Sequence, residues 1–181
     1  MKPKLSIGVS ILISLVLVIF GLLYGNVSGY AGERAQVAAL LSGENGVGAA
    51  LAYRASDGLN LCVVADRHIP GDPGVAALKS AAMAMRGVGQ GPTPSLLKEK
   101  DQALAAAFAA TAQTLQQSES LAASARDTRY LAMLTDDFAQ YGQRAIYAAY
   151  NKAATEYNQK LQMPVLGDVA RFFGVKPCEL Y

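Results

Sequence analysis

The stretch that decides the fold is Tyr147–Tyr181, YAAYNKAATEYNQKLQMPVLGDVARFFGVKPCELY. Tyr147, Tyr150, Ala154, Tyr157 and Leu161 recur at 3-4-3-4 spacing, the signature of one apolar stripe on a helix that packs against another helix. Two Tyr-Asn pairs, Tyr150-Asn151 and Tyr157-Asn158, stand seven residues apart. Seven residues are nearly two helical turns, so the tyrosines share one stripe and the asparagines the neighbouring one. Pro164 cannot continue a helix interior, so the helix is expected to end near Gln162. Asp168–Phe173 is then a short extra turn closed by Gly174, with Pro177 just beyond. The tyrosine stripe reads as core packing with hydroxyls at the edge, and an aromatic ligand box is its rival.

Working outward, the same helical period continues upstream. Leu131, Leu134, Phe138, Tyr141 and Ala145 are spaced 3-4-3-4. A long last helix is therefore expected from a cap at Asp127 or Thr128 to about Gln162. The alanine-laden run from Leu96 to Gln117 is another helix, capped by Thr93 or Ser95, with Leu104, Phe108, Thr111 and Leu115 inside. Ser118-Glu119-Ser120 marks a turn, and Gly87–Pro94 reads as a linker. Val75–Arg86 is helical, and the prolines and glycines of Ile69–Gly74 break the chain before it. Ala31–Leu41 is helix-prone, with Val37, Leu40 and Leu41 on one side, and Gly43–Gly48 interrupts it. Apolar periodicity resumes at Ala49–Tyr53, and Ser56 or Asp57 is expected to cap a new helix through Leu61, Val64 and Ala65. No strand-like alternation is sustained anywhere. The fold expected is all-α, an N-terminal transmembrane helix followed by an antiparallel helical bundle of three or four long helices.

The other end of the chain sets the compartment. Leu5–Tyr24, LSIGVSILISLVLVIFGLLY, contains no charge and has about the 20 apolar residues a membrane-crossing helix needs. A signal peptide usually has an apolar region of about 7–15 residues before a small-x-small site. This run is longer and its best site, Gly29-Tyr30-Ala31, is poor, which favours an uncleaved anchor. Lys2 and Lys4 precede the run, whereas Glu33 and Arg34 offset each other after it. The positive-inside bias then puts residues 1–4 in the cytoplasm, 5–25 across the membrane and the bundle, 26–181, on the far side. Ser6, Ser10 and Ser14, continued by Gly21 and Gly25, form a small-residue face suited to helix packing in lipid and to self-association.

Chemistry is sparse. The net charge of +2 shows no basic stripe, so nucleic acid is not an expected partner. The two cysteines, Cys62 and Cys178, share no short spacing with each other or with the single His68, which argues against zinc. Two separate thiols are favoured over a disulfide, which would need Cα atoms within about 7 Å. Asp66, His68 and Asp72 surround the Pro-Gly break and could ligate a metal, but one His with two spaced Asp residues reads as surface. No metal or cofactor is expected. The Gly43–Gly48 cluster lacks the strand and βαβ context of a nucleotide fingerprint. Asp136-Asp137 reads as a solvated face, because helix neighbours point about 100° apart. Cys62 with His68 as base is poorly placed for catalysis, about 120° apart on one helix.

The ending resembles that of the LemA family, on Tyr150-Asn151, Tyr157-Asn158, Pro164, Phe173-Gly174 and Lys176-Pro177. A weaker likeness lies at Arg54-Ala55 and Asn60-Leu61. Departures include Leu59 and Met163 where the family pattern has Pro and Phe. Met163-Pro164 stands for its aromatic-Pro pair, and Tyr53-Arg54 stands for its paired Arg. The resemblance implies a bacterial, single-pass membrane protein with an α-helical bundle and no established catalytic residues. It makes Asn60, Leu61, Tyr150, Asn151, Tyr157, Asn158, Pro164, Phe173 and Gly174 the bundle and motif residues. The function expected is a non-enzymatic scaffold or adaptor in the bacterial inner membrane, with the membrane and a homo-oligomer or other membrane proteins as partners. The alternatives are a small-ligand or lipid-binding module, using the Tyr stripe with Met83 and Met85, and an accessory of membrane proteolysis.

Overall fold

A computed structural model describes residues 7–87 and 93–181. Among them there is no strand, and eight helices follow one another. These are α1 (Ile7–Ser42), α2 (Val47–His68), α3 (Pro73–Arg86), α4 (Pro94–Gln116), α5 (Glu119–Ala122), α6 (Ala125–Gly142), α7 (Ala145–Leu161) and α8 (Leu166–Phe172). Residue contacts group the chain into two compact units. One comprises the described residues up to Val37 with Ala154–Cys178; the other comprises Ala38–Ala153 with Glu179–Tyr181.

In the larger unit, α2 packs against α3, α4 and α6. Leu51, Leu61, Val64, Leu78, Leu104, Leu115 and Leu134 are wholly or almost wholly buried. Phe108 and Phe138 stack with ring centroids 3.9 Å apart. Ala55, Ala65 and Ala82 have no exposure, so small side chains bring the helices close at these points. The stripe expected on α4 and the Leu131, Leu134 and Phe138 stripe on α6 are the buried faces observed, with Tyr141 half-buried.

The breaks follow local chemistry. Asp72 accepts from the Gly74 N–H at 2.7 Å and Pro73 begins α3, so the Pro-Gly interruption is a helix start. Thr93 caps α4 by accepting from the Leu96 N–H, again with Pro first. Residues 88–92 of the expected linker lie outside the described residues, as do Ser6 and the segment 1–4.

Three expectations fail in detail. No helix begins at Ser56 or Asp57. The helix already runs from Val47, and Ser56 donates back to the Ala52 carbonyl, which an interior serine can do. The cap of α6 is Ser124, whose hydroxyl oxygen accepts from the Asp127 N–H, so Asp127 is inside the helix. The last helix is not continuous. It breaks at Gln143-Arg144, directly after Gly142. A Cβ at Gly142 would stand 3.3–3.5 Å from the Arg54 guanidinium. The residue that weakens the helix is thus also the one that makes room for a buried Arg.

In the smaller unit, the apolar part of α1 is exposed throughout, from Ile7 at 81% to Leu22 at 70%. This helix is long and apolar enough to cross a membrane. Asn26 Nδ2 donates to the Leu166 carbonyl at 2.9 Å, and the Tyr30 hydroxyl donates to the Lys160 carbonyl at 2.9 Å. Lys160 Nζ reaches both Glu33 carboxylate oxygens at 3.0 Å. These ties hold the end of α7 and the start of α8 to the polar part of α1.

Candidate functional site

The two Tyr-Asn pairs of α7 act on the closing segment Lys176–Tyr181. Cys178 donates its main-chain N–H to Asn158 Oδ1 at 2.8 Å, and Asn158 Nδ2 donates back to the Cys178 carbonyl at 2.8 Å. Asn151 does the same at Tyr181, at 2.8 and 3.2 Å. A carboxamide carries one donor and one acceptor on a single edge, as the N–H and C=O of one residue in a strand do, so each Asn pairs with a residue as a neighbouring strand would. The tyrosines complete each clamp. Tyr157 donates to the Lys176 carbonyl at 3.2 Å and Tyr150 to the Glu179 carbonyl at 2.7 Å.

The spacing has a metric reason. Seven residues of helix rise about 10.5 Å. Three residues of extended chain cover about 10 Å, so a helix repeat of seven matches a partner repeat of three. The tyrosine rings stay buried, as the 3-4-3-4 stripe requires, and burial raises the Tyr157 hydroxyl above its usual range. The stripe is therefore core plus clamp. The Tyr150 and Tyr157 hydroxyls are spent on the chain itself. Both cysteines are free thiols, and Cys62 is buried with Sγ 3.7 Å from the Val75 carbonyl.

Tyr181 also reaches a buried charge. Its hydroxyl donates to Asp101 Oδ2 at 3.2 Å, and Asp101 pairs with Arg54, which is only 7% exposed. The Arg54 guanidinium lies 4.1 Å from the Phe138 ring centroid, and the Tyr147 ring lies 5.0 Å from Tyr181. Burial, then the Asp101 charge, pushes the Tyr147 hydroxyl up to about 12 and the Tyr181 hydroxyl higher still. Arg54 Nε and Tyr147 Oη have no hydrogen-bond partner. Asp57 is a half-buried acid. Burial, and then the nearby Asp137 charge, raises its carboxyl to about 6. The expectation of a freely solvated Asp136-Asp137 face is corrected here: Asp136 is exposed, but Asp137 is half-buried and faces Asp57 electrostatically.

The residues once grouped around the Pro-Gly break separate. Asp66 is exposed and Asp72 is spent on its cap. His68 Nε2 meets Asp127 Oδ2 at 2.9 Å and its Nδ1 meets Ser120 Oγ at 2.9 Å. Arg126 Nε and Arg67 Nη1 also reach the Asp127 carboxylate, at 3.1 and 3.3 Å. The His68 bond, ahead of the arginines, holds that carboxyl below the usual range. Ser118 donates to the His68 carbonyl at 3.2 Å, so this line of Ser, His and Asp braces the corner where α2, α5 and α6 meet. Beside it opens a cleft of about 600 Å³ lined by Arg67, Arg126, Arg129, Tyr130 and Met133. Among the described residues no group of three metal-ligating side chains converges.

The remaining sequence-marked residues are placed as follows. Leu61 is core and Asn60 is exposed. Pro164, Phe173 and Gly174 are exposed, because they form the turns on either side of α8 and not a core layer. Ser10, Ser14, Gly21 and Gly25 lie on the exposed apolar part of α1, and a Cβ at either glycine would meet nothing within 4 Å. No family model, curated protein or solved structure matches the chain.

Proposed function

We propose that the chain is a single-pass, non-enzymatic membrane scaffold or adaptor, a divergent LemA-like protein of the bacterial inner membrane with its bundle outside the cytoplasm. The observation that carries this reading is the contrast along the chain. One face-less apolar helix segment is exposed on every side, while the polar machinery around α7 is consumed in holding the chain's own closing segment. The Tyr-Asn pairs, the feature on which the LemA resemblance rests, have a structural use and present no reactive group to a substrate.

The test has two arms. In a variant without native cysteines, exposed Gln113→Cys is labelled in intact cells with a membrane-impermeant maleimide. Labelling before lysis supports the orientation, and labelling only after lysis overturns it. Cross-linking in native membranes followed by mass spectrometry then reads partners and self-contacts. Ser10→Leu with Ser14→Leu is expected to reduce oligomer size in detergent; an unchanged size removes α1 self-association from the proposal.

A second reading, a module for a small acidic ligand, is favoured by the three arginines that wall the cleft beside Asp127. Native mass spectrometry of protein purified from membranes decides it. A retained anionic ligand lost on Arg129→Ala supports it, and an empty spectrum sinks it.

A further inference from the structure

The short helix α8 has its amphipathic character reversed. Its buried residues are the two smallest, Gly167 and Ala170. A Cβ at Gly167 would stand 2.2 Å from the Leu161 carbonyl oxygen, so only glycine allows α8 to lie this close to the end of α7. Its large apolar residues, and those flanking it, point outward: Phe172 is 85% exposed, Val165 70% and Phe173 54%, with Leu166 and Met163 also exposed. Val165 is held at φ 68°, ψ −66°, in a γ-turn whose Leu166 N–H donates to the Pro164 carbonyl at 2.8 Å. A β-branched residue at positive φ is strained, and here the strain turns an apolar side chain out of the protein. The two charges of α8, Asp168 and Arg171, pair with each other, so this outward surface carries no uncompensated charge.

The surface has a specific neighbour. Phe173 shares a cavity of about 180 Å³ with Phe20, Leu23, Tyr24 and Val27, the last turns of the apolar part of α1. The polar ties of α1 begin at Asn26, at the end of this stretch, and continue with Tyr30 and Glu33 over the next two turns. Residues 20 to 27 rise about 10.5 Å along a helix. That is close to the depth of roughly 5–10 Å to which an interfacial helix sinks its apolar face. Tyr24 and Tyr30 are of the type enriched at a headgroup boundary, Phe172 and Phe173 are of the type an interfacial helix buries, and Lys176 lies exposed just past them.

The geometry points to α8 with Met163, Val165, Leu166, Phe172 and Phe173 as a second membrane contact, an interfacial element that seats in the same leaflet boundary from which α1 emerges. The occupant of the exposed face is the bilayer surface, because that face is continuous with the exposed apolar part of α1. The inference rests on α1 being a membrane span, and the following experiment separates the two.

The chain contains no Trp, so a single introduced Trp reports its own surroundings. Full-length protein carrying Phe172→Trp, and separately Leu12→Trp, is reconstituted in phosphatidylcholine–phosphatidylglycerol vesicles whose acyl chains are brominated either near the headgroup or near the chain end. The expected result is strong loss of Phe172→Trp emission with the shallow label and less with the deep one. Leu12→Trp is expected to show the reverse order. If Leu12→Trp is quenched and Phe172→Trp is not, the span stands and the interfacial contact is overturned. Unquenched but blue-shifted Phe172→Trp emission assigns the face to protein, a second copy or a partner, and overturns it equally. If Phe172→Trp is quenched and Leu12→Trp is not, the lipid contact stands without the span.

Discussion

At the scale of single residues, the most consequential groups are two asparagines and two carboxylates. Each asparagine makes two hydrogen bonds to the main chain of one residue, and a net intramolecular hydrogen bond contributes about 1 kcal/mol. Asn158→Ala and Asn151→Ala are each expected to destabilise the protein by about 1–2 kcal/mol. The accompanying signature is loss of amide exchange protection at Cys178 and Tyr181 respectively; unchanged protection there would falsify the clamp. Asp57 gives a pH dependence with a definite sign. Its folded carboxyl titrates near 6, above the ordinary value of 3.8, so the folded state holds the proton more tightly. The group therefore costs stability above about pH 6, and that cost is relieved as the pH falls from 6 towards 4. Urea midpoints at pH 7.5 and 5.0 should show this gain, and Asp57→Asn should raise the pH 7.5 midpoint and remove this component. Asp127 has the opposite sign. Its carboxyl is lowered, so the stability it adds is present above the ordinary value and is lost only as the pH falls through the lower folded one, outside that window.

At the scale of elements, the helix starts led by proline follow from local chemistry, whereas the starts of α2 and α6 and the continuity of the last helix differ from what the sequence led us to expect. Asp72-Pro73 and Thr93-Pro94 mark their helix starts by cap chemistry that depends only on neighbours in sequence. The break between α6 and α7 had a weak local signal, Gly142, and a decisive distant one, the Arg54 guanidinium that fills the space a side chain would need. Arg54 is the buried charge on which this junction and Tyr181 converge. Asp101→Ala leaves that charge without its partner, and a loss of about 3 kcal/mol is expected from calorimetric or chemical unfolding. Asp101→Asn, which keeps an acceptor, should recover part of it. At the turn before α8, Val165→Gly removes backbone strain of about 1–3 kcal/mol against a glycine entropy cost of up to about 1 kcal/mol. A net rise in stability near 1 kcal/mol is the expected outcome, and a fall would mean that the turn relaxes without strain.

At the scale of the whole molecule, the chain divides its apolar residues between two destinations. Leu51, Leu61, Leu104 and Leu134 go into a protein core, and the uncharged run in α1 stays exposed. The sequence by itself determined that division. Helical periodicity, Gly-Pro breaks and an uncharged apolar run are local patterns, and each follows from backbone geometry and solvation of neighbouring residues. It also placed the seven-residue Tyr-Asn repeat on one side of a packed helix. What it could not announce was the partner, because the asparagines read peptide groups 20 and 30 residues away, and every residue carries the same peptide group. The meeting of His68 with Ser120 and Asp127, of Arg54 with Asp101, and of Phe173 with Phe20 spans tens to more than a hundred residues of chain. Those distances close only when helices pack, so the tertiary structure alone decided which polar groups became braces and which apolar ones were left facing outward.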